Sequence, residues 1–541
     1  MPELSQADHS ATPPRITIPR SYNFAHDLIE RNLVAGRGEK LAYIDDQTTC
    51  SYAELAARVN QAANMLTGLG LRQEDRILIS MQDSIDFPTV FLGAIKAGIV
   101  PVATNTLLTA ADYDYMLGDS RAQALIVSAA VWPLFKTVVA RHPRLRNIVI
   151  AGNAPQEKTA PPCLADLLAL ESSSFDTAPT SSDDACFWIY SSGSTGMPKG
   201  TVHLHSHPMH TAELYARPVL GINENDIIFS AAKLFFAYGL GNSLTFPLSV
   251  GATALLMAER PTSAATFERL QRHRPTVFFG VPTLYASILA DPSLPDGADL
   301  GLRLCASAGE ALPADLGRRW RERFGIDILD GIGSTEMLNT FLSNRPDDVR
   351  YGTTGKPVPG YHLRLVDDNG QEVAPGELGE LQINGPSAAL MYWNNRTRTK
   401  DTFLGHWTRS GDKFTIDDDG YFTYCGRNDD MLKVSGIYVS PAEVEATLMQ
   451  HDAVLEAAVV AHADDDGLIK PKAYVVLKSG MMQDEAMRTQ LKQHVKQHLA
   501  PYKYPRWIEF RDELPKTATG KIQRFKLREG AGFSSSAGTH F

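Results

Sequence analysis

Residues 190–200 read YSSGSTGMPKG, a stretch that crowds small and hydroxyl side chains next to one lysine, Lys199. The apolar run CFWIY (186–190) leads straight into it. A strand that delivers such a loop can aim several backbone N–H groups and hydroxyls at one anion, with Lys199 as a point charge and Pro198 stiffening the exit. The nucleotide-cradling pattern G-x-x-x-x-G-K-[ST] is not satisfied, because Lys199 precedes Gly200 and falls three positions after Gly196. Taken alone, the stretch reads either as a phosphate cradle or as a mobile surface loop.

Five further strings follow in order: SAGEAL (307–312), DGIGSTE (330–336), TRSGD (408–412), GRNDDMLKVSG (426–436) and PKTATGKIQR (515–524). Together with YSSGSTGMPKG they resemble the signatures of the adenylate-forming superfamily: acyl-CoA synthetases, luciferases and peptide-synthetase adenylation domains. The likeness extends over roughly residues 25–528. It implies a two-step reaction. A carboxylate attacks the α-phosphorus of ATP to give acyl-AMP and pyrophosphate, and a thiol then takes the acyl group and releases AMP.

By the same resemblance, Ser191, Ser192, Gly193, Ser194, Thr195, Gly196 and Lys199 hold the β- and γ-phosphates. Ser307, Ala308, Gly309 and Glu310 line the adenine pocket, and Asp330, Gly331, Ile332, Gly333 and Ser334 form the second nucleotide signature. Thr335 touches the α-phosphate and Glu336 helps hold Mg²⁺, a hard cation that suits one carboxylate, phosphate oxygens and waters. Asp412 accepts the ribose hydroxyls, with Arg427 in support; an ordinary surface Asp–Arg pair is the alternative. Lys521 bridges carboxylate and α-phosphate, where two anions are brought together and positive charge is required. Asp429 is the hinge, and Lys433, Ser435 and Gly436 form the face offered to coenzyme A, Gly436 leaving room for pantetheine or serving as a simple turn glycine.

The acid is addressed by AAKLFFAYGLGN (231–242) and FFGVPTLY (278–285). Flat aromatics and small residues suit a planar ring more than a flexible chain. These strings, with SAGEAL, resemble those of benzoate–CoA ligases, which implies a pocket of Phe236, Ala237, Tyr238, Gly239, Gly280, Ala306, Ile332 and Gly333, with Ser307 beside them. The expected function is therefore ATP-dependent ligation of an aromatic acid, benzoate foremost, to coenzyme A, as in the degradation of aromatic compounds. The rivals are an aryl-acid adenylating enzyme that loads a carrier protein, a synthetase for a hydroxy- or aliphatic acid, and an ATP-binding protein without catalysis. A kinase-type catalytic loop is not recognisable.

The histidines of HLHSHPMH (203–210) invite a metal reading, since His203, His205 and His207 would share one face of a strand. No carboxylate or cysteine cluster accompanies them, and packing or helix-entry roles are expected instead.

These residues need a scaffold. With 541 residues the chain exceeds what one core supports, and its 43% hydrophobic and 21% charged residues are those of a globular protein. A net charge of −10 without basic runs argues against nucleic-acid binding. Cys50, Cys163, Cys186, Cys305 and Cys425 are scattered and odd in number, as expected of reduced thiols in a cytoplasmic protein. FLGAIKAGIVPVATN (91–105) is broken by Lys96 and Pro101 and is too short for a membrane span. A homodimer is compatible with all of this.

Helix patterns such as 52–70 alternate with short apolar runs at 76–81, 122–128, 146–152, 252–257, 276–282 and 302–309. That rhythm predicts α/β architecture: doubly wound α/β subdomains in a large N-terminal domain. Asn-Gly and Asp-Gly turns inside 362–373 and 414–426 predict hairpins, hence a β-rich subdomain from about 350. Ser440, Pro441 and Glu443 announce a helix start with a capping box, in a small mobile α+β C-terminal domain. The expected division is a disordered 1–15, an adenylation domain at 16–428, a mobile domain at 429–529 and a disordered tail at 530–541.

Overall fold

Strand Arg76–Ser80 carries an unbroken apolar run with Ile77, Leu78 and Ile79 fully buried. A strand of that kind must be covered on both faces. The computed structural model, which describes residues 2–152, 160–191, 197–293, 300–428, 430–434, 437–464, 468–500, 502–516 and 522–529, places it inside a seven-stranded sheet. Along that sheet run Met391–Tyr392, Lys199–Leu204, Ala185–Ser191, Val100–Ala103, Arg76–Ser80, Ala124–Ser128 and Asn147–Ala151. The last five are parallel, and the first two are antiparallel additions at one edge. Helix Tyr52–Gly68 covers a face, started by a capping box between Ser51 and Glu54. It meets helix Asp86–Lys96 so closely that a Cβ on Gly93 would lie 2.5 Å from the Ala62 Cβ.

A second sheet has nine strands, and its parallel part runs Ile328–Gly333, Leu304–Ser307, Val277–Gly280, Ile227–Ser230, Thr253–Leu255 and Leu41–Ile44. Both sheets fit the doubly wound expectation.

The β-rich part is five-stranded, built on His362–Val366, Gly379–Asn384 and Trp407–Ile416. The Asp-Gly hairpin forms as expected, pairing Trp407–Ile416 with Phe422–Arg427. The Asn-Gly hairpin does not continue as a ladder. After the turn at Gly370 the chain makes one bridge, Val366 to Glu372, and the full partner of His362–Val366 is Gly379–Asn384. The later segment wins because Leu381 and Ile383 pack into the core, whereas 371–377 is largely exposed polar chain.

The C-terminal unit sets helices Pro441–Met449 and Glu485–His498 against strands Val454–Ala463, Ile469–Leu477 and Trp507–Phe510. Val444, Leu448, Val459, Val475 and Leu491 form its separate core. Ser440 caps the first helix, accepting from the Glu443 N–H, but the expected capping box is not closed. The Glu443 carboxylate instead accepts two bonds of 2.7 Å from the Lys503 Nζ, an ion pair that outcompetes a backbone N–H.

The N-terminal residues expected to be disordered are ordered. Gln6–Asp8 pairs with Arg15–Thr17, and the reason lies beneath the hairpin. Buried Asp27 accepts from the Ser5 Oγ at 2.5 Å and Glu213 contacts the His9 Nε2 at 2.7 Å, so polar residues of the arm add to the partners these buried carboxylates have in Tyr22, Arg31 and Arg217. The expected tail 530–541 lies outside the described residues.

Candidate active site

In an open α/β sheet, ligands bind beyond the carboxyl ends of parallel strands. Register puts Gly280, Ser307 and Asp330 side by side at those ends. One strand position earlier, Phe279, Ala306 and Leu329 form the next row inward. Among the described residues the buried Ser307 Oγ and Asp330 Oδ1 have no hydrogen-bond partner, and burial raises the Asp330 carboxyl well above its ordinary range against the lowering effect of the Leu312 and Gly331 N–H groups. Two unpartnered polar groups at adjacent strand ends form a site prepared for a hydrogen-bonding ligand.

A cleft of about 1980 Å³ opens beside this row and is lined there by Asp330. It is also lined by Ser191 and Lys199, by Gly331–Glu336, by Asp412 and Arg427, and by Ile522–Arg524 of the C-terminal unit. Ser191 and Lys199 face each other as register partners on antiparallel strands, so both ends of the glycine-rich loop are fixed by one ladder. Ser192, Gly193, Ser194, Thr195 and Gly196 lie outside the described residues, as do Asp429, Ser435, Gly436 and Lys521; Lys433 is described as backbone in strand Leu432–Val434.

Asp412 and Arg427 are register partners on the Asp-Gly hairpin, and their side chains form a 3.3 Å ion pair at the cleft. The residue after Lys521 touches the large domain directly. The Ile522 N–H donates to the Glu310 Oε1 at 3.2 Å. Just beyond it, the Arg524 guanidinium donates to both Glu445 carboxylate oxygens at 2.7–3.1 Å, tying the segment to the small domain.

Glu336 is held by a residue that sequence reasoning missed. The Tyr392 hydroxyl donates to the Glu336 Oε1 at 2.6 Å. Lys199 lies 3.8 Å from the same oxygen, donates to the Tyr392 hydroxyl at 3.3 Å and sits over its ring at 4.4 Å. Burial lowers the Lys199 pKa, and Glu336 partly offsets this. Tyr392 belongs to the edge strand Met391–Tyr392 that pairs with Lys199–Leu204, a pairing that nothing in the string MYWNN announces. Among the described residues no three His, Cys, Asp or Glu side chains converge as a metal cage. One carboxylate beside a phosphate-sized cleft fits Mg²⁺ carried mainly by phosphate oxygens and water.

The aromatic segment sits between the two large cores. Phe236 lies 4.6 Å from Phe235 with the two rings tilted at 60°, and Tyr238 meets Phe279 edge-on at 5.9 Å and, like Ile332, packs against the core that contains Phe279. Three expected pocket glycines also have packing reasons. A Cβ on Gly239 would lie 2.1 Å from the Lys233 carbonyl, on Gly333 2.6 Å from the Asn339 carbonyl, and on Gly280 2.7 Å from the Tyr285 ring. Asn339, also missed, is buried and donates through Nδ2 to the Ala237 carbonyl at 3.2 Å. It thereby ties the aromatic segment to the turn that carries Glu336.

The histidines do not share a strand face. Strand Lys199–Leu204 ends before His205, and His207 opens the helix His207–Thr211. His205 accepts from the Phe24 N–H, and burial pushes its pKa down to about 3.

Residues 30–393 match the AMP-binding enzyme family, and residues 443–521 match the AMP-binding enzyme C-terminal domain. The chain is 65% identical to a benzoate–CoA ligase of Thauera aromatica, covering 97% of this chain and 99% of that one. It is 53% identical to a 4-hydroxybenzoate–CoA/benzoate–CoA ligase of Rhodopseudomonas palustris, over 94% of each. Among solved structures, a benzoate CoA ligase from Burkholderia xenovorans superposes with a TM-score of 0.87 at 54% identity, covering 94% of this chain and 100% of that one. An anthranilate CoA ligase in complex with anthranoyl-AMP superposes with a TM-score of 0.91 at 44% identity, covering 95% of this chain and 98% of that one.

Proposed function

The chain belongs to the AMP-binding enzyme family, and on that premise we propose that it ligates benzoate to coenzyme A through benzoyl-AMP, with release of pyrophosphate and AMP. The observation that carries this reading is the 65% identity to a benzoate–CoA ligase along nearly the full chain. The convergence of its nucleotide signatures on one cleft supports it.

Adenine lies beyond the row Gly280–Ser307–Asp330, where Ser307 and Asp330 offer unpartnered polar atoms. Asp412 accepts the ribose hydroxyls and Arg427 orients it. Lys199 and the loop it terminates hold the departing phosphates, and Thr335 meets the α-phosphate. Glu336, oriented by Tyr392, holds Mg²⁺, which supplies charge neutralisation at the phosphates. Lys521, next to the Ile522–Glu310 contact, brings its charge between carboxylate and α-phosphate. Rotation about Asp429 then withdraws Lys521 and presents Lys433, Ser435 and Gly436 to the thiol. The Ile522–Glu310 bond breaks in that rotation, whereas Arg524–Glu445 travels within the small domain.

The ring is held by Phe236, Ala237, Tyr238 and Ile332. A hydroxybenzoate is a second reading favoured by one observation: the buried Tyr238 hydroxyl and Asn242 carboxamide interact with each other but make no short hydrogen bond to any other group among the described residues. No described helix is long and apolar enough to cross a membrane, and a cytoplasmic enzyme fits the free cysteines. Exchange of labelled pyrophosphate into ATP tests the proposal, without coenzyme A and across a panel of acids. Exchange with benzoate but not with hexanoate is expected. Exchange with aliphatic acids alone would remove the aromatic assignment, and no exchange with any acid would remove the adenylation step.

A further inference from the structure

The histidine motif is not absorbed by this mechanism, yet it reaches the centre of the site. His203 stands near the end of the strand that begins at Lys199, fully buried, with its ring 5.6 Å from Phe187. Its Nε2 lies 2.8 Å from the Thr335 carbonyl oxygen. A carbonyl only accepts, so Nε2 carries a proton. Its Nδ1 lies 3.2 Å from the Nδ1 of His207, whose ring stands at 80° to it. The Leu204 N–H donates to that same His207 nitrogen at 3.3 Å. Burial favours a neutral His203, holding its pKa down to about 4 against the raising effects of the Thr335 carbonyl and Glu336.

The turn beyond Thr335 needs such support. Leu338 adopts φ 66°, a left-handed conformation that a branched side chain keeps only when its surroundings impose it. The surroundings do so carbonyl by carbonyl. The Glu336 carbonyl accepts from the Ala389 N–H at 2.7 Å, the Met337 carbonyl from the Ser387 Oγ at 2.8 Å, and the Thr335 carbonyl from His203. His203 fixes the backbone of the turn to the strand carrying Lys199, beside the side-chain contacts of Glu336 with Lys199 and Tyr392.

We propose that His203 is a fixed-tautomer donor, its Nε2–H bound to the Thr335 carbonyl, which positions Thr335 and Glu336 against Lys199 for adenylation. His203 is a positioning residue; it does not touch the reacting atoms. The proposal rests on the adenylation reading of this turn, but its first test does not. In the full-length chain labelled with ¹⁵N-histidine, His203 shows a protonated Nε2, with the assignment made from His203→Gln. A bare Nε2 on His203 overturns the donor assignment whatever the activity.

The second test compares His203→Gln, whose amide still donates to a carbonyl, with His203→Leu. The leucine variant is expected to lose roughly tenfold in benzoate-dependent pyrophosphate exchange, the weight of one hydrogen bond, with a far smaller change in thioester formation from supplied benzoyl-AMP. The glutamine variant recovers most of the exchange. Equal losses in both half-reactions, or no recovery by glutamine, show a merely structural histidine and overturn the positioning role. If the wild-type chain shows no exchange with any acid, the functional reading fails while the tautomer assignment still stands or falls on the spectrum.

Discussion

Replacing Tyr392 with Phe removes one oxygen atom and leaves the ring over Lys199 in place. The bonds lost are a phenol donating at 2.6 Å to a carboxylate oxygen and the longer 3.3 Å bond that the same hydroxyl accepts from Lys199, with Glu336 and Lys199 only 17% and 15% exposed. A hydrogen bond to a charged group at such a site contributes roughly 1.5–3 kcal/mol. Lys199 remains, but at 3.8 Å from that oxygen it exerts charge without a short directional bond. If the bond serves to orient Glu336 for the cation, its loss appears in the adenylating half-reaction, on the order of a 10- to 100-fold fall in kcat/KM. The Mg²⁺ requirement should rise in parallel. Pyrophosphate exchange read against Mg²⁺ concentration measures this, and thioester formation from supplied benzoyl-AMP serves as the control. Exchange unchanged within twofold would refute the orienting role. Equal losses in both half-reactions would assign Tyr392 to packing of the edge strand.

Lys521→Ala should abolish most pyrophosphate exchange while sparing thioester formation from benzoyl-AMP; equal impairment of the two would count against a role confined to adenylation. Asn339→Ala removes the 3.2 Å side-chain donor to the Ala237 carbonyl, which keeps the Gly241 N–H, at a cost of about 0.5–1.5 kcal/mol. The KM for benzoate should rise more than that for ATP, and a change in the ATP value alone would contradict the clamp. Asp83 is buried and accepts the Leu234 N–H, and burial pushes its carboxyl up to about 6 against the lowering effect of Lys233. The folded chain therefore holds that proton more tightly than the unfolded chain. Its stabilising contribution is full below the ordinary carboxylate range and is lost as pH rises through about 6. Asp83→Asn should remove that loss, on the order of 3 kcal/mol, so thermal unfolding of the two proteins should diverge between pH 4 and 6; parallel curves would sink the assignment.

Local signals carried much of this molecule. Unbroken apolar runs such as 76–80 required strands covered on both faces, and the Asp-Gly turn closed the hairpin that pairs Asp412 with Arg427. Each depends on residues close in sequence, where pattern and turn chemistry act directly. The Asn-Gly hairpin misled because a turn sets where a chain reverses, whereas core packing decides which segment pairs; Leu381 and Ile383 outbid the nearer residues. The same division runs through the site. The order of the nucleotide motifs was legible along the chain. Tyr392 on Glu336, Asn339 on Ala237 and His203 on Thr335 were not, since each joins stretches far apart in sequence. A sequence states which groups are present and which backbone turns they favour. The long-range register of the sheets alone decides which oxygen each buried proton meets.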